Sequence, residues 1–310
     1  MSKPQRIILT GATGLIGTKL FAALRERGDE VVIFSRSPET ARERLSGAAD
    51  YVAWTPAEEG PWAAVVDGAD AIIHLAGAPI SQGLLGVRWT PAYKEEILNS
   101  RVIGTRGLVN AIAVAQKPPR VLVNASAVGY YGYRDATPLD EYAAAGRDFV
   151  ASVCIAWERE ASRAEELGLR VVRLRTGIVL DPNAGALGQL LVPFRLRTGG
   201  PILPGDQYYS WIHPDDEIGL ILLALDNPQA RGPLNATAPN PMTNREFTDT
   251  LGSVLGSPSW VPVPEIGLRL ALGEMADLVV KGQRVLPRRA QELGYQFRFP
   301  ELRAALQDLL

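Results

Sequence analysis

The sequence has almost no cysteine: Cys154 is the only one among 310 residues. A single cysteine can form neither an internal disulfide nor a cysteine-based zinc site, and this is typical of a protein from a reducing compartment. No apolar run reaches the roughly 18 residues that a membrane span needs, and the first residues lack the apolar stretch of a signal peptide. These absences predict a cytoplasmic protein that has no membrane partner and no metal site.

An excess of charge of one sign is also missing, because 32 Lys and Arg residues are balanced by 34 Asp and Glu residues, for a formal net charge of -2. We therefore expect no nucleic-acid partner, since binding to polyanions relies on a basic surface. Hydrophobic residues make up 46% of the chain and charged residues 21%. A chain of this length and composition can bury a large core, which excludes a disordered or fibrous protein.

Short apolar runs alternate with longer segments of helical periodicity, which is the pattern of parallel βαβ units. The strand-like runs span residues 6–10, 30–35, 51–54, 71–75, 120–125 and 170–174. The helical segments span residues 14–27, 38–45, 61–66, 91–116, 146–167 and 215–225. Runs that are apolar on both faces are typical of a sheet covered by helices on each side. The sequence therefore predicts an α/β fold with a doubly wound parallel sheet of about six strands.

The alternation loosens after Val179, where residues 181–185 and 199–201 contain glycine and proline and break the rhythm. We expect residues 1–180 and 214–228 to form the sheet domain. Residues 181–213 and 229–310 would then form a smaller C-terminal lobe that holds the substrate.

A glycine-rich segment follows the first predicted strand and opens a helix: Thr10-Gly11-Ala12-Thr13-Gly14-Leu15-Ile16-Gly17. In a dinucleotide site, Gly11 would form the tight turn, Gly14 would let a diphosphate approach the backbone, and Gly17 would let the helix pack on the strand. The phosphates would bind the free N–H groups at the start of the helix. Glycines also form ordinary strand-to-helix turns, but the strand before and the helix after favour a nucleotide site. The predicted cofactor contacts here are Gly11, Thr13, Gly14, Leu15, Ile16 and Gly17.

The second predicted strand ends in Ser35 and Arg36, where a site for NAD would place an acidic residue against the ribose 2′-hydroxyl. A guanidinium beside a hydroxyl suits a 2′-phosphate instead, so we predict NADP(H) as the cofactor. The alternative is an ordinary surface arginine. After the fourth strand, Leu75, Ala76 and Gly77 would let the adenine or ribose approach the backbone at the ligand edge of the sheet.

Further motifs follow along the chain: Arg88-Trp89, Ser100-Arg101, residues 126–132 (Ser-Ala-Val-Gly-Tyr-Tyr-Gly), Trp157-Glu158, Gly199-Gly200-Pro201, Trp211-Ile212-His213 and residues 282–287 (Gly-Gln-Arg-Val-Leu-Pro). Together with the glycine segment, they resemble the atypical, epimerase-like subgroup of the extended short-chain dehydrogenases/reductases. Members of that subgroup carry labels such as SulA-like cell-division inhibitor or nucleoside-diphosphate-sugar epimerase. The resemblance covers essentially the whole chain. It implies a Rossmann fold with its own C-terminal domain, NADP(H) as cofactor, and a monomer or homodimer.

The same resemblance implies that Glu96 and Arg101 face the cofactor, although spacing alone would make both solvated helix residues. The family's catalytic pair, a tyrosine with a lysine four residues later on one helix face, is missing. None of the nine tyrosines has a lysine at that spacing, and the family's two positions fall on Val150 and Cys154. We interpret Cys154 as a small buried hydrophobe.

Other residues must then supply any catalytic groups. Ser126, at the end of the fifth strand, could donate to a substrate oxygen or merely cap the strand. Tyr130 is a possible proton donor but a poor base without a lysine, and Tyr131 competes for the same role. His74 lies inside the apolar fourth strand, so we interpret it as a core histidine rather than a catalyst.

Two more groups of residues allow alternative interpretations. The first group is an aromatic segment with Tyr208, Tyr209, Trp211 and His213, together with Pro193-Phe194-Arg195. This group could form the wall of a site for a partly apolar substrate that carries an anionic or carbonyl group, or it could simply pack between the lobes. The basic residues Lys281, Arg284, Arg288 and Arg289 indicate a solvated helix face more than a phosphate site.

The sequence thus predicts an NADP(H)-dependent oxidoreductase or epimerase-like enzyme that acts on an unidentified small molecule. The alternative is a catalytically silent NADP(H)-binding sensor or scaffold, since a fold persists in binders as well as in enzymes.

Overall fold

The computed structural model describes residues 4–57, 59–81 and 88–310. Its centre is a seven-stranded sheet with the strands β1 (Arg6–Thr10), β2 (Glu30–Ser35), β3 (Asp50–Ala53), β4 (Ala71–His74), β5 (Val121–Ala127), β6 (Arg170–Thr176) and β7 (Gly232–Ala236). Across the sheet the order is β7-β6-β5-β4-β1-β2-β3, and every neighbouring pair runs parallel. The order reverses between β1 and β4, which confirms the predicted doubly wound sheet.

The helices flank this sheet or follow it. They are α1 (Leu15–Glu26), α2 (Pro38–Arg44), α3 (Pro91–Val114), α4 (Phe149–Ser162), α5 (Gly185–Arg195), α6 (Pro214–Asp226), α7 (Asn244–Leu255), α8 (Glu265–Leu272), α9 (Asp277–Val280), α10 (Arg288–Glu292) and α11 (Leu302–Leu309). Short 3₁₀ helices span Pro61–Val66, Val128–Tyr131, Arg163–Leu167 and Gly273–Ala276. Within the described ranges, no helix is both long enough and apolar enough to cross a membrane.

Pairs of two-residue strands tie the second half of the chain to the sheet. Ile178–Val179 pairs with Trp211–Ile212, Tyr208–Tyr209 with Met242–Thr243, and Pro138–Leu139 with Arg284–Val285. All three pairs lie near the carboxyl ends of β5 to β7, because one member of each follows one of those strands in the chain.

The first two strands have the predicted bounds, and the next four differ from the prediction by one or two residues. The seventh strand, β7, was not predicted, because Gly232 and Pro233 at its start are typical of a turn. A proline is tolerated there since β7 lies at the sheet edge and pairs only with β6. Residues 232–236 thus form a strand of the sheet, whereas the expected division assigns them to the C-terminal lobe. The rest of the division into domain and lobe stays a prediction.

Neighbouring side chains of one strand enter two different cores, one on each face of the sheet. On one face, Ile7 and Leu9 of β1 pack with residues of α1 and α6, among them Leu20 and Ile221. On the other face, Ile8 of β1 packs in a cluster that includes Leu108 and Ile112 of α3. Because β1 is buried on both faces, its sequence is continuously apolar rather than alternating.

A third core lies outside the sheet and is built from α5, α7 and α11. Its buried side chains include Leu187, Leu191, Phe194, Trp211, Phe247, Leu251, Leu302 and Leu306. At the start of α7, Thr243 and Glu246 form a capping box, which satisfies two N–H groups that the helix leaves free. Residues after position 180 thus bury an apolar core of their own beside the sheet.

The start of α1 packs so closely on the preceding loop that two positions leave no room for a side chain. Gly11 has a φ of +71°, and a Cβ there would lie 2.9 Å from the backbone nitrogen of Ala76. A Cβ on Gly17 would lie 2.2 Å from the Gly11 carbonyl oxygen and 2.7 Å from the Ala12 Cα. The obstructing atoms are backbone atoms, which cannot move aside as a side chain can. Gly11 therefore forms a tight turn and Gly17 lets the helix pack on it, in the way the sequence predicts.

Replacing Gly17 with alanine should lower the free energy of unfolding by about 1–3 kcal/mol, the usual cost of overpacking a buried position. Urea denaturation followed by circular dichroism measures this loss. The matched control is Gly267→Ala in α8, an exposed position where the added Cβ meets no atom within 4 Å. That control should stabilise the protein by up to about 1 kcal/mol through helix propensity. Equal effects of the two substitutions would contradict the packing argument.

Candidate functional site

A cavity of about 520 Å³ lies at the carboxyl ends of β1, β2 and β4. Nine of the predicted cofactor residues line it, namely Gly11, Thr13, Gly14, Ser35, Arg36, Leu75, Ala76, Gly77 and Glu96. Four others are not among its lining residues, namely Leu15, Ile16, Gly17 and Arg101. The cavity therefore unites residues from three separate loops at the edge where doubly wound sheets bind ligands.

Some lining residues were missed from the sequence. Asn99, Ser100 and Ile103 of α3 line the cavity together with Glu96. They lie three, four and seven residues after Glu96, which places them on the same helix face. That spacing would have identified them once Glu96 was chosen. Trp54 and Pro56, just after β3, also line the cavity, and no motif in the sequence marks them.

The Thr10 hydroxyl joins the ends of β1 and β4 beneath the cavity. Its oxygen accepts hydrogen bonds from the backbone N–H groups of Leu75 and Ala76, at 3.2 and 3.1 Å, and lies 2.7 Å from Nδ1 of His74. Because the Thr10 oxygen already accepts two hydrogen bonds, the Thr10 hydroxyl donates its own proton to Nδ1 of His74. The hydrogen of the neutral imidazole ring is therefore on Nε2. Burial, with a contribution from Arg101, lowers the pKa of His74 to about 3. His74 is therefore a neutral core histidine, which confirms the sequence interpretation.

The Arg36 guanidinium has no hydrogen bond or ion pair with the described part of the chain, and its side chain is exposed at the cavity. The neighbouring Ser35 hydroxyl accepts from Ser37 N and donates to Ser37 O, both at 3.2 Å, and so holds the turn after β2. At the other end of the cavity, no side chain of the described residues caps α1 at Gly14. The first-turn N–H groups of α1 thus remain without a side-chain acceptor.

Arg101 supports the cavity wall from behind. One of its terminal nitrogens donates to the carbonyl oxygens of Ala78 and Ile97, both at 3.0 Å, and its guanidinium carbon lies 5.0 Å from the centre of the Trp157 ring. Burial lowers the pKa of Arg101, and no carboxylate among the described residues pairs with it. Arg101 is not among the lining residues, but its side chain holds the loop at Gly77 and Ala78, which lines the cavity, so the expectation that Arg101 faces the cofactor stays a prediction.

A second polar cluster lies at the ends of β5 and β6. Arg175 of β6 forms a bidentate ion pair with Glu158 of α4, at 2.8 and 2.9 Å, and both side chains are buried. Burial opposes the charge on Arg175, but its hydrogen bonds and attraction to Glu158 outweigh burial and raise the pKa of Arg175. The Ser126 hydroxyl donates to the same carboxylate at 2.7 Å.

The bond to Glu158 changes the role expected for Ser126. A hydroxyl has one proton to donate, and in this structure that proton lies toward Glu158. Ser126 can therefore accept a hydrogen bond from a ligand hydroxyl, but it cannot also donate to a ligand oxygen.

The two adjacent tyrosines have different environments. Tyr131 is fully buried, donates to Asn235 at 2.6 Å and accepts from Arg175 at 2.9 Å. Burial raises the pKa of Tyr131 to about 12. Because the side chain is buried and its hydroxyl already has two partners, Tyr131 offers no free group to a ligand. Tyr130 is half-buried with its ring 3.5 Å from the Arg175 guanidinium carbon, and its hydroxyl has no partner in the described part of the chain.

Helix α4 packs its side chains against the turn that carries these tyrosines. A Cβ on Gly129 would lie 2.4 Å from a methyl group of Val150 and 3.9 Å from the sulfur of Cys154. The two residues at the family's tyrosine and lysine positions therefore lie next to the end of β5. Burial raises the pKa of Cys154 to about 12, so its thiol stays protonated at neutral pH. This confirms Cys154 as a small buried hydrophobe.

Most of the aromatic segment after β6 serves packing rather than ligand contact. Tyr209, Trp211 and His213 are buried, and their rings or ring nitrogens contact Phe247, the carbonyl of Asn240 and Phe299. His213 also caps α6 by accepting from the N–H of Asp215. Only Tyr208 of this segment is partly exposed. The packing interpretation therefore holds for three of the four residues.

No group of three or more His, Cys, Asp and Glu side chains in residues 4–57, 59–81 and 88–310 is arranged to hold a metal ion.

Comparison with known proteins gives two family matches. A model of the NAD dependent epimerase/dehydratase family matches residues 7–236, and a domain of unknown function, DUF1731, matches residues 263–309. The chain is 42% identical over 306 residues to the chloroplastic epimerase family protein SDR39U1 homolog of Arabidopsis thaliana. This alignment covers 98% of this chain and 86% of that protein. It is 38% identical over 310 residues to the epimerase family protein YfhF of Bacillus subtilis, covering 98% and 97%.

Solved structures also resemble this chain. The crystal structure of human epimerase family protein SDR39U1 (isoform 2) with NADPH superimposes with a TM-score of 0.86 at 36% identity, over 98% of each chain. A UDP-galactose 4-epimerase superimposes with a TM-score of 0.74 at 20% identity, covering 97% of this chain and 96% of that one. The second likeness concerns the fold alone.

A buried carboxyl group lies behind the end of β6. Glu217, in the first turn of α6, accepts a hydrogen bond of 2.8 Å from the Thr176 hydroxyl. Its other oxygen has no partner among the described residues. Burial raises the pKa of Glu217 from its ordinary value of 4.5 to about 8, against a smaller opposing effect of Thr176. Glu217 is therefore protonated and neutral in the folded protein at neutral pH.

The raised pKa of Glu217 predicts a specific pH dependence of stability. Between pH 4.5 and 8 the folded protein keeps a proton that the unfolded chain releases. The free energy of unfolding should therefore fall as pH rises through that window, by up to about 1.4 kcal/mol per pH unit. Urea unfolding across this range, in wild type and in Glu217→Gln, isolates the contribution. The glutamine variant should gain stability relative to wild type as pH rises, and parallel pH profiles would count against a buried neutral carboxyl.

Proposed function

Because this chain belongs to the NAD dependent epimerase/dehydratase family, we propose that it binds NADP(H) in the cavity at β1, β2 and β4. We further propose that it uses this cofactor to oxidise, reduce or epimerise a small molecule. The observation that carries the proposal is the Arg36 guanidinium, which lies at the cavity on the turn after β2 and has no partner among the described residues.

The cavity fits a dinucleotide in its shape and in its donors. The tight turn at Gly11 and the close packing of α1 at Gly17 place the start of α1 beside the cavity. The uncapped start of α1 offers N–H groups and the positive end of a helix dipole to a diphosphate. Among the described residues that line the cavity, Glu96 is the only acidic one. Its carboxylate suits ribose hydroxyls, which are hydrogen-bond donors, rather than a phosphate.

The choice of NADP(H) over NAD(H) rests on charge. The three residues directly after β2 are Arg36, Ser37 and Pro38, none of them acidic. The Arg36 guanidinium has no counter-ion in the described part of the chain, so a 2′-phosphate would supply one. The NADPH present in the structure of the human relative supports the same choice.

The cofactor, when bound, supplies or accepts a hydride at the carboxyl edge of the sheet. Of the three candidate catalytic residues, Tyr130 alone has a hydroxyl that no described residue engages. We assign to Tyr130 the proton donated to a substrate oxygen during reduction. Arg175 holds the Tyr130 ring in place by stacking on it, and Ser126 accepts from a substrate hydroxyl while Glu158 fixes its orientation.

A silent sensor or scaffold is the second candidate function. It is favoured by Val150 and Cys154, which cannot replace a tyrosine and a lysine in proton transfer. Enzyme and sensor share the cofactor cavity and differ in turnover, so turnover is the property that separates them.

Arg36→Ala should weaken NADPH binding by roughly 10- to 100-fold, the range expected when a hydrogen bond between charged groups is lost. NADH binding should change little, because NADH lacks the 2′-phosphate. Titration calorimetry with both cofactors measures the two effects. The control is Arg44→Ala, an exposed arginine at the end of α2 that does not line the cavity. Equal losses for NADPH and NADH would contradict the assignment of Arg36.

The enzymatic part of the proposal is tested with NADPH and a panel of aldehydes, ketones, quinones and nucleotide sugars. Any turnover by wild type should fall by about 100-fold or more in Tyr130→Phe, since general acids contribute factors of this size. Ser126→Ala should also lose activity, by a smaller factor. Tyr142→Phe, which changes a largely exposed tyrosine, is the matched control. Firm NADPH binding with no turnover on the whole panel would instead support the sensor.

A further inference from the structure

The four basic residues near the start of α10 have unequal partners. Lys281 pairs with Asp277 at 3.0 Å, Arg288 pairs with Asp140 and Glu292 at 2.9 and 3.0 Å, and Arg289 pairs with Glu292 at 3.2 Å. These three agree with the expected solvated face. Arg284 differs from them, because its guanidinium has no hydrogen bond and no ion pair with the described residues.

The environment of Arg284 makes this isolation costly. The side chain is half-buried, and its Nε atom is fully shielded from solvent without a hydrogen-bond partner. A buried donor that lacks an acceptor destabilises the folded protein, and more strongly when the donor is charged. The guanidinium carbon lies 5.3 Å from the centre of the Tyr208 ring, which holds the cation in place but offers no acceptor for its N–H groups.

The backbone around Arg284 is held rigidly at the ligand edge of the sheet. Ser210 accepts from the N–H of Val285 at 2.9 Å and donates to the carbonyl of Gln283 at 2.7 Å. The N–H of Arg134 donates to the carbonyl of Gly282 at 2.9 Å. Ser210 follows β6 and Arg134 follows β5, so segments after two parallel strands fix the position of Arg284.

Gly282 brings Arg284 next to Tyr208. A Cβ at position 282 would lie 2.2 Å from the carbonyl oxygen of Tyr208, so only glycine allows the two backbones to approach this closely. The same edge carries Tyr130, whose turn ends close to Arg134. The hydroxyl groups of Tyr208 and Tyr130 both lack a partner among the described residues. The segments after β5, β6 and β7 therefore bring two free phenols and one free guanidinium to one edge of the sheet.

The cofactor proposed above does not account for Arg284. Arg36 follows β2, and Arg284 lies beside the end of β6, four strands away in the sheet order. At about 4.8 Å between neighbouring strands, this separation is about 19 Å. The phosphate bound at Arg36 would thus be remote from Arg284 and could not pair with this guanidinium.

We propose that Arg284, backed by Tyr208, binds an oxyanion of the substrate, either a carboxylate or a phosphate. The fork of N–H groups in a guanidinium matches the two oxygens of such a group, and the Tyr208 ring provides a flat wall beside it. The substrate class is therefore a small anionic molecule whose reacting carbon lies toward the sheet. The interpretation of the bound anion as a substrate rests on the proposed function. The binding of an anion at Arg284 can be measured whether or not the proposed function is correct.

The test uses the full chain, free and loaded with NADPH, with inorganic phosphate and sodium benzoate as separate probes at constant ionic strength. The NMR signal of the Arg284 Nε–H, assigned by its loss in Arg284→Gln, should shift saturably with one or both probes. The Nε–H signal of Arg288, whose guanidinium is already paired, is the internal control and should not shift. Saturation by phosphate alone or by benzoate alone identifies the preferred oxyanion.

Affinity for the effective probe should fall roughly 10- to 100-fold in Arg284→Gln and should be unchanged in Arg288→Gln. If Arg284→Gln does not fold, Arg284→Lys provides the test. A lysine keeps the positive charge but lacks the paired N–H groups of a guanidinium, so the lysine variant should bind the probe several-fold more weakly. No saturable shift with either probe, equal shifts at Arg284 and Arg288, or wild-type affinity in the lysine variant would each overturn the inference. A protein that binds a probe at Arg284 but not NADPH would refute the proposed function alone.

Discussion

The buried ion pair between Glu158 and Arg175 is the interaction on which the region after β5 depends. It links α4 to β6, and the Glu158 carboxylate also accepts a hydrogen bond from the Ser126 hydroxyl of β5. The same guanidinium contacts both Tyr130 and Tyr131. A buried pair of this kind is costly to desolvate and is strongly destabilising to break on one side. One ion pair therefore sets the position of every candidate catalytic residue in the chain.

This ion pair also explains how the region can keep its shape without the family's tyrosine and lysine. In the usual arrangement, a lysine on the helix supplies a positive charge to the site. Here α4 presents Val150 and Cys154, which are buried and neutral, and the positive charge comes from Arg175 on the neighbouring strand. That charge is already balanced by Glu158. Arg175 holds the Tyr130 phenol in place by stacking, but because its charge is balanced it does not strongly stabilise a phenolate. Tyr130 is therefore better suited to donate a proton than to remove one.

Much of the fold and of the cofactor half of the site is readable from the sequence, because both depend on local patterns. The apolar strands, the glycine segment and the Ser35–Arg36 turn are each encoded within a few residues, and the predicted family resemblance is confirmed. β7 was missed, because its sequence of Gly232 and Pro233 is typical of a turn and only its pairing with β6 makes it a strand.

The substrate half of the site was less predictable, because its contacts join residues far apart in the chain. Ser126 meets Glu158 across 32 positions, and Tyr131 meets Asn235 across 104. No local spacing can reveal that the Ser126 hydroxyl donates a hydrogen bond to Glu158, that Tyr131 is buried, or that Arg101 bonds to the carbonyl of Ala78. The same limit applies to the basic residues near α10, where sequence alone could not separate Arg284, which pairs with no described residue, from its paired neighbours.

The balanced composition of the chain conceals a local excess of positive charge at the ligand edge. The formal net charge is -2, but two acidic groups near this edge contribute no free negative charge: Glu158 is neutralised by Arg175, and Glu217 keeps its proton because burial raises its pKa. What remains is the positive start of α1 together with Arg36 and Arg284, which have no counter-ion among the described residues, against the single carboxylate of Glu96 among the described residues that line the cavity. Because charges in partly buried clefts are weakly screened, their effect on a bound anion is several-fold larger than in bulk water. An anionic cofactor and an anionic substrate are therefore compatible with a protein whose overall charge is negative.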